Sequence, residues 1–181
     1  MSALPNDGCY TIQTILSLPD GERAELIDGC LYDMAAPSVI HQRISMGLSR
    51  VISNYIADHH GSCSVYAAPF AVFLFGMDDE YNYFEPDISV ICDPSKTENG
   101  KGCDGPPDWI IEIVSPSTTP VDYVIKLRRY QQAGVREYWI IDPQAEKTIV
   151  YVADKDPVVY SFTQPVPSGI YPELSIDVSK L

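Results

Sequence analysis

No stretch of this sequence approaches the roughly 18 consecutive apolar residues that a membrane-spanning helix needs. The opening residues, MSALPNDGCYTIQTIL, lack the basic-then-apolar order of a signal peptide. No membrane contact and a cytoplasmic address are therefore expected. Cations are scarce: 12 lysines and arginines stand against 25 aspartates and glutamates, a formal net charge of −13. That shortage excludes a protein that coats nucleic acid through a broad basic surface, because such binding needs cations to displace counterions from phosphates. Cysteines number only five, at 9, 30, 63, 92 and 103, without a C-x-x-C pair. Neither a disulfide framework nor a zinc site is expected from them, and all five read as reduced thiols. No repeat, low-complexity tract or long linker divides the 181 residues, a length that fits one domain. Ser115 and Ser117, beside Pro116, lack a G-x-S-x-G context and read as turn residues.

The few cations are unevenly placed. From Val121 to Tyr138, Lys126, Arg128, Arg129 and Arg136 face only Asp122 and Glu137, which leaves room for a small basic patch. Elsewhere the pattern is that of a mixed fold. A short helical segment near residues 11–17 precedes the turn LPDGE, and RAELIDGCLYDM alternates around Asp28-Gly29 as a hairpin does. Ile44, Leu48, Val51, Ile52, Tyr55 and Ile56 recur at spacings of three and four, which predicts an amphipathic helix capped by Ser38 and ending near His60-Gly61. Three strands are predicted in CSVYAAPFAVFLF, EPDISVIC and DWIIEIV, with DPSKTENGKGCDGPP as an exposed loop. A second helix runs from Pro120 to Ala133 and stops at Gly134, followed by strands in REYWIID and KTIVYV and a further one in VVYSF. Helix, three strands, helix, strand and strand make an α/β (α+β) fold in which both helices flank a central mixed sheet.

Within DWIIEIVSPS, the carboxylate of Glu112 sits amid Trp109, Ile110, Ile111, Ile113 and Val114, so the strand that carries it is expected to be buried on both faces. An ionised carboxylate taken out of water costs several kcal/mol unless something compensates it. Asp87, placed by Pro86 at the head of the preceding strand, is a natural neighbour. Two carboxylates about 4 Å apart repel by roughly 4 kcal/mol at an effective dielectric near 20, and a divalent cation reverses that penalty. Asp122, Lys126 and Tyr130, each four residues from the next, share a helix face that can direct the Lys126 amine at the pair. Hard oxygen ligands suit Mg2+ or Mn2+, which activate water and polarise phosphoryl oxygens.

The segments EPDISVI, PPDWIIEIVSPST and VDYVIKLRRYQQAGVREYWIIDP, with the upstream ELIDG and the histidine of the first long helix, resemble the Uma-type family of restriction-endonuclease-like proteins, a branch of the PD-(D/E)XK nuclease superfamily. The resemblance covers about residues 22–152. It implies a restriction-endonuclease-like core of αβββαβ order behind an N-terminal hairpin, with Asp87 and Glu112 as metal ligands. Val114 stands where the superfamily usually carries a lysine, and the resemblance implies that Lys126 replaces it from the following helix. Glu25 and His41 match further polar positions of the family. The expected function is a metal-dependent endonuclease acting on DNA, with Asp87, Glu112, Lys126, Glu25 and His41 as its site. The competing expectation is a non-catalytic nuclease-fold interaction protein, as a homodimer, in which Glu112 and Lys126 form a structural pair. Asp122 reads as a first-turn acid favoured by the helix dipole rather than a metal ligand, and Tyr130 as core rather than catalytic.

Overall fold

The computed structural model describes residues 9–115 and 121–181. Helix α1 (Ile12–Leu16) leads into the hairpin of β1 (Ala24–Ile27) and β2 (Cys30–Asp33). Ile27 pairs with Cys30 across Asp28-Gly29, both at positive φ (52° and 74°), as a tight two-residue hairpin turn requires. Helix α2 (Val39–Asp58) starts where the Ser38 side chain accepts the His41 N–H. It buries Ile44, Leu48, Ile52 and Ile56, the fourfold-spaced stripe the sequence shows.

Six strands form the central sheet, in the order β10 (Val158–Ser161), β9 (Lys147–Val152), β8 (Glu137–Asp142), β7 (Trp109–Ile113), β5 (Ile88–Ile91), β3 (Ser64–Ala67). Only β7 and β8 run parallel, and the helical segment between them makes the crossover. Strand alternation sorts the core onto two faces. Trp109, Ile111 and Ile113 of β7 pack with the α2 stripe, whereas Ile110 and Val114 pack with Tyr130, Tyr138 and Phe84 on the other side. Glu112 has the parity of Ile110 and so points to that second face.

Three expectations need correction. The run 63–75 is not one strand: β3 ends before the Ala68-Pro69 bond, and Val72–Phe73 (β4) turns away to pair with Cys103–Asp104 (β6). Proline has no N–H for the ladder, which favours an exit from the sheet there. The segment 93–107 is not simply an exposed loop, because it contains β6 and a one-turn helix at Pro94–Thr97, and Cys103 is fully buried. The second helix is a π-helical turn over Val121–Lys126 that continues as α3 (Leu127–Ala133), ended by Gly134 at φ 88°. Its expected start at Pro120 and the Pro116-Ser117 turn lie outside the described residues. A small hairpin of β11 (Val166–Pro167) and β12 (Ser175–Ile176) was not foreseen.

The reduced-thiol expectation also fails for one pair. Ser64 lies opposite Ile91 in the antiparallel β3–β5 ladder, so the next step outward sets Cys63 against Cys92, and the two form a disulfide. Cys9 and Cys30 are free and exposed, while burial pushes the thiol of Cys103 up to about 11. Alkylation of the native protein at mildly alkaline pH is therefore expected to modify Cys9 and Cys30 alone. Reductant should then admit Cys63 and Cys92, and only unfolding Cys103. Mass spectrometry finding all five cysteines modified without reductant would refute the disulfide. Among the described residues, no helix is long and apolar enough to cross a membrane.

Candidate active site

The antiparallel register that sets Ile88 opposite Ile111 brings Asp87 opposite Glu112 one step further along. The contact is direct: the Asp87 N–H donates to Glu112 Oε2 at 3.4 Å. Asp87 is anchored in turn, its Oδ2 accepting from the Ile113 N–H at 2.7 Å and lying 3.0 Å from His41 Nε2. That histidine occupies the first turn of α2, where the helix start reaches the open end of the sheet. With Asp87 ionised, the Nε2 carries the proton; burial draws the imidazole's affinity for a second proton down, and the Asp87 hydrogen bond and charge raise it by more.

Lys126 comes from the opposite direction, on the π-helical turn that covers the second face. Its ammonium lies 2.7 Å from Glu25 Oε2, 2.9 Å from Glu112 Oε1 and 3.5 Å from Asp122 Oδ1, and the residue is 3% exposed. Glu25 reaches it because β1 is stitched to Tyr83 through a bridge at Leu26, and the Glu85 N–H then donates to Glu25 Oε1 at 2.9 Å. Tyr130, one turn beyond Lys126 and fully buried, donates its hydroxyl to Glu112 Oε1 at 2.8 Å. Tyr138 donates to the Asp122 carbonyl at 3.0 Å and so ties the π-helical turn to β8.

The five expected residues, Asp87, Glu112, Lys126, Glu25 and His41, thus converge from β1, α2, the sheet and the crossover helix. Asp122 and Tyr130, which read from the sequence as structural rather than site residues, join them. Their fourfold spacing from Lys126 was the available signal; the reach of the tyrosine hydroxyl to Glu112 was not. The small basic patch for which the sequence leaves room does not form around them. Lys126 is buried, Arg129 pairs with Asp28, and Arg136 pairs with Asp108 at 2.9 Å. Of the four helix-region cations, Arg128 alone makes no ion pair with the described residues.

Carboxyls outnumber cations here: Glu25, Glu112 and Asp122 surround Lys126, and Asp87 adjoins Glu112 with His41 beside it. Burial holds the Glu112 carboxyl well above the usual range; Lys126 opposes the shift, while Asp87, Asp122 and Glu25 add to it. Glu25 is raised by burial as well, against the pull of Lys126. The lysine shows the converse: burial would lower it, but Glu112, Glu25 and Asp122 outweigh that and hold it well above its ordinary value. Such surplus of negative charge is the condition a divalent cation relieves. Among the described residues, no group of three or more His, Cys, Asp and Glu side chains converges as a metal cage. Asp87 and Glu112 offer instead two hard carboxylates, which fits Mg2+ or Mn2+, ions that keep several of their waters and use one or two protein carboxylates. It does not fit zinc, which prefers nitrogen and sulfur ligands in a closed tetrahedron.

One solved structure shares this architecture. The crystal structure of a putative nuclease belonging to DUF820 from Anabaena variabilis superposes with a TM-score of 0.74, covering 94% of this chain and 96% of that one at 23% identity, which establishes the likeness of fold. Two uncharacterized proteins of Synechocystis are similar in sequence. One, slr1290, is 27% identical over 136 residues, 75% of this chain and 68% of its own. The other, sll1609, is 28% identical over 127 residues, 67% of each. The model of the Uma2 family, described as "Putative restriction endonuclease", matches residues 12–179, and the chain belongs to that family.

Proposed function

We propose that the protein is a metal-dependent nuclease that hydrolyses phosphodiester bonds of nucleic acid, with DNA as the substrate. The observation that carries this reading is the meeting of Asp87, Glu112 and Lys126 at one end of the sheet, from three elements far apart in sequence. Asp87 and Glu112 would hold Mg2+ or Mn2+, which when bound supplies Lewis-acid polarisation of a phosphoryl oxygen and a lowered pKa for water. Lys126 opposes the burial that favours the protonated form of Glu112 and would place positive charge beside the developing phosphoryl charge. Glu25 restrains the same ammonium through its own ion pair at 2.7 Å. His41 holds Asp87 in place and stands at the rim, where it can accept or release a proton.

Asp87→Asn and Glu112→Gln are each expected to abolish Mg2+-dependent cleavage of plasmid and single-stranded DNA, about a thousandfold or more as losses of charge-stabilising groups go. Circular dichroism should stay unchanged, since each amide keeps an oxygen for the anchoring donors. Cleavage by either variant at the wild-type rate would eliminate the proposal. A second reading, a non-catalytic interaction protein that keeps the nuclease core as a homodimer, is favoured by the net charge of −13 and by the ion pairs that occupy Arg129 and Arg136. It predicts that Mn2+ leaves the protein's melting temperature unmoved, whereas the nuclease reading predicts a rise.

A further inference from the structure

Glu112 presents its two oxygens to different surroundings. Oε1 receives the Lys126 ammonium at 2.9 Å and the Tyr130 hydroxyl at 2.8 Å, both from buried side chains. Among the described residues, Oε2 accepts only the long 3.4 Å bond from the Asp87 N–H. Asp87 is divided in the same way: Oδ2 is held by the Ile113 N–H and His41, and Oδ1 accepts nothing from the described residues. Each carboxylate thus has one anchored and one open oxygen.

The two donors on Oε1 differ in kind. Lys126 is shared with Glu25 at 2.7 Å and Asp122 at 3.5 Å, so its ammonium is pulled three ways. Among the described residues, Tyr130 donates to Glu112 alone. Its ring packs between Phe84, with centroids 5.5 Å apart, and Tyr138, at 5.0 Å, which holds the hydroxyl toward Glu112. We propose that Tyr130 is a positioning residue that withholds Oε1 of Glu112 from the cation and, by leaving a single open oxygen, selects Mg2+ and Mn2+ over Ca2+. The inference rests on the cation site proposed above. Ca2+ takes six to eight oxygens and commonly grips a carboxylate through both, whereas Mg2+ demands a small octahedral shell. A carboxylate with one oxygen tied back meets the second requirement and resists the first.

The test is calorimetric titration of the full chain with MgCl2, MnCl2 and CaCl2, for wild type, Tyr130→Phe and Tyr138→Phe. Phenylalanine keeps the ring packing at either position. Tyr138→Phe also deletes a buried hydroxyl, but one that donates to the Asp122 carbonyl and touches neither carboxylate. Tyr130→Phe is expected to weaken Mg2+ about tenfold, as loss of a hydrogen bond to a metal-ligating group does. Ca2+ should weaken less, so that the preference for Mg2+ narrows, while Tyr138→Phe retains the wild-type preference. A folded Tyr130→Phe with unchanged affinities and preference would overturn the role of Tyr130 and leave the cation site standing, as would an equal narrowing in Tyr138→Phe. A wild-type chain that binds none of the three ions would overturn the site itself.

Discussion

Lys126→Met is expected to destabilise the protein by about 3–5 kcal/mol at neutral pH, the range for breaking a buried ion pair by removing one partner. Methionine fills most of the space of the lysine stem, so lost packing contributes little. The loss comes from Glu25, Glu112 and Asp122, which would face one another without their shared cation, all at 4% exposure or less. A second substitution identifies the cause. Adding Glu25→Gln to Lys126→Met removes one of the stranded charges and should recover part of the stability, even though each change alone is harmful. Urea denaturation of wild type, both single variants and the double variant measures this coupling. A loss below 1 kcal/mol for Lys126→Met, or no recovery in the double variant, would mean that the acids are neutral without the lysine. Because of this stability cost, lost cleavage in Lys126→Met is weaker support for a role in chemistry than lost cleavage in Glu112→Gln.

Glu137→Ala is expected to cost about 4 kcal/mol, far from the candidate site, because several donors to a charged acceptor would be orphaned at once. Glu137 opens β8, is fully buried, and pairs with no lysine or arginine among the described residues. Its charge is balanced by hydrogen bonds instead. Trp139 Nε1 donates at 2.7 Å, the Ile170 N–H at 2.7 Å, the Gly169 N–H at 2.9 Å and the Ser168 hydroxyl at 3.1 Å. Three of these come from the stretch between β11 and β12, so one carboxylate clamps the C-terminal hairpin to the sheet. A side chain at 169 would crowd this clamp, since a Cβ there would lie 3.0 Å from Val152 Cγ2. Glu137→Gln should lose roughly half as much as alanine, because one amide oxygen remains to accept while the NH2 group faces donors. The readouts are the urea midpoint and proteolytic release of the C-terminal segment. Wild-type protease resistance in Glu137→Ala would show that the hairpin is held by other contacts.

Glu137 also shows where reading charge along a chain goes astray. In sequence it lowers the balance of a basic stretch, as though it were at the surface. In the fold it is fully buried and accepts four hydrogen bonds, and the basic stretch has lost Lys126 to the interior and Arg129 and Arg136 to ion pairs. Glu112 was legible for the opposite reason: its neighbours on both sides are large and apolar, so its burial followed from the strand, and burial of a charge demands a partner. The partner was legible too, because the spacing of Asp122, Lys126 and Tyr130 already gathers them on one helix face. Glu25 and His41 came from family resemblance, and nothing local to either residue announces that β1 and the start of α2 close over the same end of the sheet.

The sequence by itself determined the helices, the hairpin turn and most central strands, since apolar periodicity and turn residues act within a few residues of chain. It also determined that Glu112 needs compensation and that Lys126 could provide it. Only the tertiary structure decided which strands are neighbours, and with that the pairing of Asp87 with Glu112, the disulfide between Cys63 and Cys92, the departure of 68–75 from the sheet and the hold of Glu137 on the C-terminal hairpin. The physical reason is that register and strand order are chosen by the free energy of packing segments far apart in the chain. No local pattern carries that information.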